Sequence, residues 1–369
     1  MSYKVRFVDF PEHYRRLKSE IDAAIQGVLD GGDYIMRRQL REFEKNLADF
    51  LGVKYAIGVA NGTDAILLSM KAAGIGRGDE VITVAHTFAA TVTTIVHCNA
   101  TPVLVDIGPD YNMDVGKVEA AITKKTKAII PVHLNGRVCD MDRLMRIASK
   151  HDIPIIEDAA QALGASFKGK RAGSFGLSGC FSFYPAKILG ALGDGGAVTT
   201  SDDAMAEKIF LLRDHYMNRD TGEFLGYGFN SRLDNLHAAV LDVKLKRLPQ
   251  WIERRRELAT MYKKGLSGVS SIKLPPPPGN GDYFDVYQNY VIRSKQRDEL
   301  VKHLRSSGVE IIVSWPKPLH KHEALGLTKF NLPVTEQISR EVLSIPLFPE
   351  MSNDSVKLVV DAIRRFDKR

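Results

Sequence analysis

Short apolar runs alternate with longer amphipathic segments over most of the chain before residue 213. The amphipathic segments predict helices at Lys18–Leu29, Arg41–Phe50, Thr63–Ala73, Phe88–Val96, Met141–Lys150 and Asp203–Arg213. The apolar runs predict strands at Ala56–Val59, Val81–Val84, Pro102–Val105, Ala128–Val132, Ile153–Ile156 and Cys180–Phe183. Strands that alternate with helices build a parallel sheet with helices on both faces. The sequence therefore predicts an α/β fold with a mostly parallel central sheet.

A proline-rich segment, Leu274–Gly281, follows this pattern and predicts an extended linker near residues 274–283, because proline does not continue a helix. Long helices predicted at Leu233–Leu248 and Ile252–Leu266 join two domains. Beyond the linker we expect strands at Tyr287–Arg293 and Val309–Val313 and helices at Arg297–Ser306 and Ser355–Phe366. We therefore expect a large domain with an N-terminal arm at residues 1–250, and a small α+β domain at residues 251–369.

Lys187 lies between an apolar run and a group of glycines in the segment Gly179–Ala197. Lysine is rarely buried without a partner, and burial lowers its pKa and leaves a nucleophilic amine. Such an amine forms Schiff bases with carbonyl compounds. A side chain that extends from a buried element to water explains the same segment. The segment alone leaves both interpretations open.

Asp158 and Glu157 directly follow the apolar run Ile153–Ile156. In open α/β sheets, groups at the carboxyl ends of strands face the ligand crevice. A carboxylate there can hold a ring-nitrogen proton, as the aspartate partner of pyridoxal phosphate (PLP) does. Asp158 alone is also consistent with a helix N-cap. A Schiff-base lysine farther along the chain favours the functional interpretation.

The segment Tyr55–Met70 predicts a strand, a tight Asn61-Gly62 turn and a helix. Free N–H groups and the helix dipole make such a helix start a phosphate site, to which Thr63 adds a hydroxyl. An ordinary N-cap, with Asp64 in the first turn, explains these residues equally well.

These three segments, in this order, resemble the fold-type I PLP enzymes, and more narrowly the DegT/DnrJ/EryC1/StrS family of sugar aminotransferases. The resemblance covers nearly the whole chain. Its further motifs are Phe43-Glu44, Thr87–Thr91, Pro131–Gly136, Glu157–Gln161, Ser182–Lys187, Gly193–Gly196, Gly228–Arg232 and Pro318–His320. The order of the motifs, rather than any single residue, favours a functional interpretation of each.

The resemblance implies that Lys187 forms the Schiff base with PLP and shuttles the proton, while Asp158 pairs with the pyridine nitrogen. Phe88 is expected to stack on the ring, and Gln161 to lie near its phenolic oxygen. The phosphate is expected to be held by Gly62, Thr63 and Ser182.

Three further roles follow from the same resemblance. Asn230 is expected to reach the phosphate of the neighbouring subunit, which implies a homodimer with shared active sites. Tyr184 and His320 are expected near the sugar nucleotide. Arg37 stands where many relatives have glycine, which leaves any substrate contact there open.

Some of these residues also have interpretations without a catalytic function. Phe88 is consistent with a core aromatic, and Ser182 with an ordinary strand residue. Asn230 is a favoured helix cap. His320 lies in a segment, Lys317–His322, that looks like a solvated basic loop.

Composition narrows the class of protein. A chain of 369 residues with 44% hydrophobic content is long enough for one large core and a smaller one. We find no signal region and no run of about 18 apolar residues, so we expect a cytoplasmic protein without a membrane anchor. Cys98, Cys139 and Cys180 are too few and scattered for a disulfide framework or a zinc site, so no metal is expected.

The net charge of +7 is consistent with an anionic ligand such as a nucleotide diphosphate, or with nucleic acid. The basic groups are short and dispersed, and no helix-turn-helix or zinc-finger pattern occurs. The sequence therefore argues against nucleic acid.

The resemblance implies transfer of an amino group from an amino acid, with L-glutamate expected, to a nucleotide-linked keto sugar by way of pyridoxamine phosphate. Such a reaction serves amino-sugar biosynthesis. The segment from Tyr184 to Gly196 is similar to members that act on 3-keto sugars. A 4-keto substrate and a non-catalytic PLP-binding regulator are the alternatives. The family's sugar dehydratases carry histidine in place of Lys187, so this lysine argues against them.

Overall fold

The computed structural model describes residues 3–279 and 281–368. The helices in these residues are α1 (Phe10–Gly31), α2 (Arg38–Leu51), α3 (Gly62–Ala72), α4 (Ala89–His97), α5 (Val118–Ala121), α6 (Met141–Lys150), α7 (Asp203–Leu212), α8 (Asn235–Leu245), α9 (Leu248–Gly265), α10 (Arg297–Ser306), α11 (Pro333–Glu341) and α12 (Asn353–Asp367). The strands are β1 (Tyr55–Val59), β2 (Glu80–Val84), β3 (Thr101–Val105), β4 (Thr126–Ile129), β5 (Ile156–Asp158), β6 (Ser166–Phe167), β7 (Lys170–Arg171), β8 (Ser178–Ser182), β9 (Gly196–Thr200), β10 (Tyr283–Phe284), β11 (Tyr290–Arg293) and β12 (Val342–Ile345).

The central sheet has the strand order β1-β9-β8-β5-β4-β2-β3. Regular ladders form β1-β9-β8-β5 and β3-β2-β4, and parallel bridges from Ile129 to Ile155 and from Val132 to Asp158 connect the two groups. Only β9 runs antiparallel to its neighbours in this sheet. All other neighbouring pairs are parallel. The predicted α/β fold with a mostly parallel sheet is confirmed.

Both faces of this sheet are buried, since successive side chains of a strand point to opposite faces. On β1, Ala56 belongs to one apolar cluster and Ile57 to another. On β9, Ala197 belongs to the first cluster and Val198 to the second. Helices α2 and α8 cover the first face, and α3 and α7 cover the second.

A further apolar cluster lies in the C-terminal part of the chain. It combines α9, α10 and α12 with β11 and β12, around residues such as Tyr262, Leu304 and Ile363. Val5 joins it from the N-terminal segment through a bridge to Val309. The domain boundary after residue 250 and the linker stay predictions. Of those ranges, Met1, Ser2, Asn280 and Arg369 lie outside the described residues.

The structure corrects several predicted boundaries. The strand expected at Ile153–Ile156 is β5, Ile156–Asp158, because Pro154 has no N–H to pair in a ladder. The N-terminal helix begins at Phe10 rather than Lys18, because the Asp9 side chain caps it by accepting a 3.1 Å hydrogen bond from the Glu12 amide.

The strand expected at Val309–Val313 is absent as a regular ladder, and only Val309 and Ile312 form isolated bridges there. Seven helices and strands of the described residues were not expected from the sequence, namely α5, β6, β7, β9, β10, α11 and β12. Over residues 3–279 and 281–368, no helix combines the length and hydrophobicity needed to cross a membrane.

Candidate active site

A cavity of about 570 Å³ opens at the carboxyl end of the parallel strands. This volume lies in the range of about 300–1,000 Å³ that is typical of small-molecule sites. The predicted site residues that line it are Gly62, Thr63, Phe88, Asp158, Gln161, Ser182, Tyr184 and Lys187. They converge because each follows or ends a strand of the sheet, at the edge where α/β proteins bind ligands.

Lys187 lies on the connection between β8 and β9 and is half-buried in the cavity wall. Burial lowers the pKa of its amine below the ordinary value, while the charge of Asp158 opposes this shift. A larger share of the amine is therefore neutral and nucleophilic at neutral pH than for a solvated lysine.

Asp158 is the last residue of β5, and only 6% of it is exposed. Oδ2 accepts a 2.7 Å hydrogen bond from the Thr91 hydroxyl, and Oδ1 accepts one of 3.2 Å from the Ala160 amide. Burial raises the pKa of this carboxyl, whereas these two donors and the Lys187 charge lower it. In the described chain no helix begins directly after Asp158, and the next element is the strand β6, so the helix N-cap interpretation is wrong.

Glu157 faces away from the cavity and has a supporting role. Its carboxylate is fully buried and accepts hydrogen bonds from the amides of Gly173, Phe175 and Gly176. His133 Nδ1 accepts a hydrogen bond from the Cys139 amide, so Nε2 carries the proton and donates it to Glu157 at 2.8 Å. This network fixes β5 and thereby the position of Asp158.

The start of α3 fits a phosphate group. Asn61 Oδ1 caps the helix by accepting a 2.8 Å hydrogen bond from the Asp64 amide. The amides of Gly62 and Thr63, in the first turn, have no intrahelical acceptor and line the cavity. A Cβ on Gly62 would lie 2.7 Å from Cβ of Ser182, so only glycine leaves this space open beside the Ser182 hydroxyl. These donors are what an anion requires at a helix N-terminus.

The remaining cavity residues suit a flat heteroaromatic ring. Phe88 is 64% exposed and precedes α4, so the interpretation as a core aromatic is wrong. Gln161 Oε1 accepts a 2.8 Å hydrogen bond from the Asn135 amide, which leaves the amide protons of Gln161 for a ligand. An aromatic face, a buried carboxylate, a nucleophilic amine and a phosphate cradle together fit PLP.

Two predicted site residues do not line this cavity. Asn230 is exposed and forms a backbone bridge with Asp214. His320 is fully buried, and its Nε2 lies 3.2 Å from the Glu336 carboxylate. The interpretation of His320 as part of a solvated loop is therefore wrong, because Leu319 beside it packs into an apolar cluster with Ala85.

The cavity also contains residues for which no role was expected from the sequence. Trp315 lines it and lies edge-on to His86, with ring centroids 5.6 Å apart. Its φ of 50° is unusual for a bulky side chain. Asp194 and Thr87 also line the cavity. The hydroxyls of Thr87 and Thr91, on either side of Phe88, lie 2.9 Å apart and form a hydrogen bond.

Comparison with known proteins agrees with this geometry. The DegT/DnrJ/EryC1/StrS aminotransferase family matches residues 15–364. The chain is 42% identical over 360 residues to the UDP-2-acetamido-2-deoxy-3-oxo-D-glucuronate aminotransferase of Pseudomonas aeruginosa, covering 97% of this chain and 99% of that protein. It is 41% identical over 367 residues to the pleiotropic regulatory protein of Geobacillus stearothermophilus, covering 98% of each.

Similarity extends to solved structures. A crystal structure of DesV from S. venezuelae, in complex with a ketimine intermediate, superposes with a TM-score of 0.96. The two chains are 40% identical, and the superposition covers 100% of each.

Proposed function

The chain belongs to the DegT/DnrJ/EryC1/StrS aminotransferase family, and we propose that it transfers the amino group of L-glutamate to a nucleotide-linked 3-keto sugar. The family, the aminotransferase activity and the dependence on PLP agree with the sequence prediction, which is confirmed in these respects. The donor and the position of the keto group are parts of the proposal. The observation that carries it is the meeting of Lys187, Asp158 and the Gly62 turn in one cavity.

When bound, PLP supplies an electron sink that accepts the amino group of a donor and passes it to a keto acceptor, with both substrates using one site in turn. Lys187 supplies the base. Since burial lowers the pKa of its amine, Nζ can take the α-proton of the donor and return a proton to the acceptor carbon.

Asp158 supplies the charge that holds a proton on the pyridine nitrogen. Burial alone raises the pKa of its carboxyl, but a cationic ring nitrogen beside it favours the ionised form. The hydrogen bonds from Thr91 and Ala160 occupy one lone pair on each oxygen and orient the carboxylate. The remaining lone pairs are free for the ring proton.

The phosphate anchor sets the position of the cofactor in the cavity. The amides of Gly62 and Thr63 and the hydroxyl of Ser182 can donate to phosphate oxygens at the positive end of α3. These groups would hold the phosphate in the same cavity that Lys187 lines.

The sugar nucleotide is proposed to enter over the aromatic residues at the cavity rim. Tyr184 is 56% exposed and lines the cavity with Lys187, and Trp315 also lines it. The net charge of +7 favours an anionic diphosphate. The 3-oxo sugar in the name of the P. aeruginosa relative supports a 3-keto substrate over the 4-keto alternative.

A homodimer is part of the same proposal. Asn230 lies outside the cavity of its own chain, and Phe224, Leu225 and Tyr227 nearby are exposed apolar side chains, with Tyr227 fully exposed. A second copy that covers this segment would remove the apolar surface from water and bring Asn230 to the other copy's phosphate. A cytoplasmic location is also proposed, since Cys98, Cys139 and Cys180 are all unpaired.

The test is visible absorption of the purified protein with PLP, before and after L-glutamate alone. A band from lysine-bound PLP that disappears with L-glutamate supports the first half-reaction. A stable band that ignores L-glutamate and other amino acids would favour a passive binder or regulator. The acceptor is then tested with UDP- and dTDP-linked 3-keto and 4-keto sugars, and the position of the new amino group is read by NMR.

A further inference from the structure

The side chain of Gln288 forms hydrogen bonds with both residues that flank Lys187. Its Oε1 accepts a 2.7 Å hydrogen bond from the Ile188 amide, and its Nε2 donates one of 2.9 Å to the Ala186 carbonyl. We propose that Gln288 is a positioning residue, which holds the backbone on both sides of Lys187 and so fixes where the lysine amine lies in the cavity. This inference rests on the proposed role of Lys187.

The connection that carries Lys187 needs such support. Residues 183–195 between β8 and β9 contain no helix or strand. Local bonds fix parts of it, since the Lys187 amide donates to the Tyr184 carbonyl and the Ala191 amide to the Phe183 carbonyl, both at 2.8 Å. Lys244 Nζ also donates a 2.6 Å hydrogen bond to the Gly190 carbonyl. The Ala186 carbonyl and the Ile188 amide are held by Gln288.

Gln288 is itself held rigidly. Arg255, which is buried, donates from Nη1 to the carbonyls of Tyr287 at 3.0 Å and of Leu347 at 2.9 Å. A Cβ on Gly136 would lie 2.8 Å from the Gln288 amide nitrogen, so that backbone packs directly against the turn. Tyr287 has a φ of 52°, a conformation that persists only where the surroundings enforce it.

The chemistry of the side chain explains why glutamine suits this position. A primary amide offers a donor and an acceptor at once, which matches one carbonyl and one N–H group of a backbone. Glutamate has the same shape but offers acceptors only, and methionine offers neither group. The three side chains have similar lengths, so substitutions separate hydrogen bonding from packing.

The first readout is hydrogen exchange of the Ile188 amide in the full-length protein, which does not depend on activity. Gln288→Met should accelerate this exchange by about fivefold or more, because the amide loses its acceptor. Exchange of the Ala191 amide should change little, because its acceptor is the Phe183 carbonyl and not Gln288. Gln39→Met is the matched control, since Gln39 is also buried but accepts its hydrogen bond from Asn235.

The second readout is the rate at which Lys187 captures PLP, followed by the first half-reaction with L-glutamate. Misplacement of a reacting group by 1 Å can cost about 10²-fold, so Gln288→Met should slow both steps by about 10- to 100-fold. The KM for L-glutamate should stay within about threefold, because Gln288 does not line the cavity. Gln288→Glu, which keeps an acceptor for Ile188, should fall between wild type and Gln288→Met.

Two results in Gln288→Met would overturn the inference. The first is hydrogen exchange of the Ile188 amide at the wild-type rate. The second is faster exchange of this amide together with PLP capture at the wild-type rate. If Gln288→Met does not fold, Gln288→Glu decides through the rate of PLP capture, because it loses only the hydrogen bond to the Ala186 carbonyl; capture at the wild-type rate in that variant would overturn the inference. Failure of the wild-type protein to react with L-glutamate would instead count against the proposed function. In that case, Ile188 exchange and PLP capture still decide the role of Gln288.

Discussion

Thr91 donates a 2.7 Å hydrogen bond to Oδ2 of Asp158, and both residues are buried. The bond links the first turn of α4 to the end of β5, and therefore connects the helix after Phe88 to the carboxylate that would face the cofactor ring. It also opposes the effect of burial, which raises the pKa of Asp158. Thr91 thus helps to keep this carboxyl ionised.

Replacement of Thr91 by valine should shift the pH dependence of the first half-reaction. Loss of the donor raises the pKa of Asp158 further, so the carboxyl ionises only at higher pH and the acid limb of the rate profile moves upward. The rate near neutral pH should fall by about tenfold, as expected for the loss of a hydrogen bond to a charged group, and recover at higher pH. Stopped-flow absorbance from about pH 5 to pH 9 measures this. Thr91→Ser keeps the hydroxyl and should retain the wild-type profile.

Replacement of Lys187 by alanine should leave a folded protein that does not complete turnover. The amine is the proposed nucleophile and proton carrier, so multiple-turnover amination should fall by more than about 10³-fold. Circular dichroism and product formation measure fold and activity together. Lys170→Ala removes an exposed lysine and should leave both unchanged. Normal turnover by Lys187→Ala would refute the assignment.

Replacement of Gly62 by alanine should weaken PLP binding. The new Cβ would lie 2.7 Å from Ser182 Cβ and 3.1 Å from its Cα, so the start of α3 must move away from β8. Loss of one or two phosphate hydrogen bonds should raise the Kd for PLP by about 10- to 100-fold. Gly27→Ala is the control, since Gly27 is also helical but has open space around it and should gain slightly in stability. Equal affinity in wild type and Gly62→Ala would contradict the phosphate site.

Local sequence patterns were sufficient for most of the sheet and for the place of the candidate residues in it, while the family resemblance supplied their expected roles. Lys187, Asp158 and Gly62 each lie next to an apolar run, and the ends of parallel strands converge whatever the lengths of the helices between them. Strand β9 escaped prediction because Gly196–Thr200 consists of small residues that follow a glycine cluster. Its antiparallel direction also departs from the strand-helix alternation.

Residues from the C-terminal part were beyond the reach of local patterns. Gln288 and Trp315 lie about one hundred residues or more after Lys187 in the sequence. Their contacts with the Lys187 connection and the cavity depend on how β11 and the following segments pack against the sheet. Neither the hydrophobic periodicity of a segment nor the spacing of its motifs encodes that packing. A sequence therefore identifies the reacting groups more readily than the residues that position them.

The stability of the protein should rise with pH in a way that depends on Lys244. This lysine is 4% exposed, and burial lowers its pKa to about 8. The unfolded chain, with a lysine pKa near 10.4, binds more protons between about pH 8 and pH 10, so the unfolding free energy increases with pH in that window. From pH 8 to pH 9.5, wild type should gain on the order of 1–2 kcal/mol relative to Lys244→Met. Urea denaturation at both pH values measures the difference, and Lys246→Met, at a largely exposed position, should behave as wild type. A pH-independent difference between wild type and Lys244→Met would contradict the buried charge.

Complementation between two impaired variants tests the proposed sharing of active sites. Asn230 is exposed and outside its own cavity, so in the proposed dimer it serves the site that contains Lys187 of the other copy. Lys187→Ala and Asn230→Ala homodimers should both be impaired, the latter through PLP affinity. In a mixed dimer of the two variants, one active site lacks both residues and the other has both. The mixed dimer is obtained by coexpression of the variants with two different tags. If its sites act independently, it should have about half of the activity of the wild-type dimer. Purification through both tags and an amination assay measure this, with Lys187→Ala paired with itself as the control. A correctly assembled mixed dimer with no more than half the activity of the Asn230→Ala homodimer would show that Asn230 acts within its own chain.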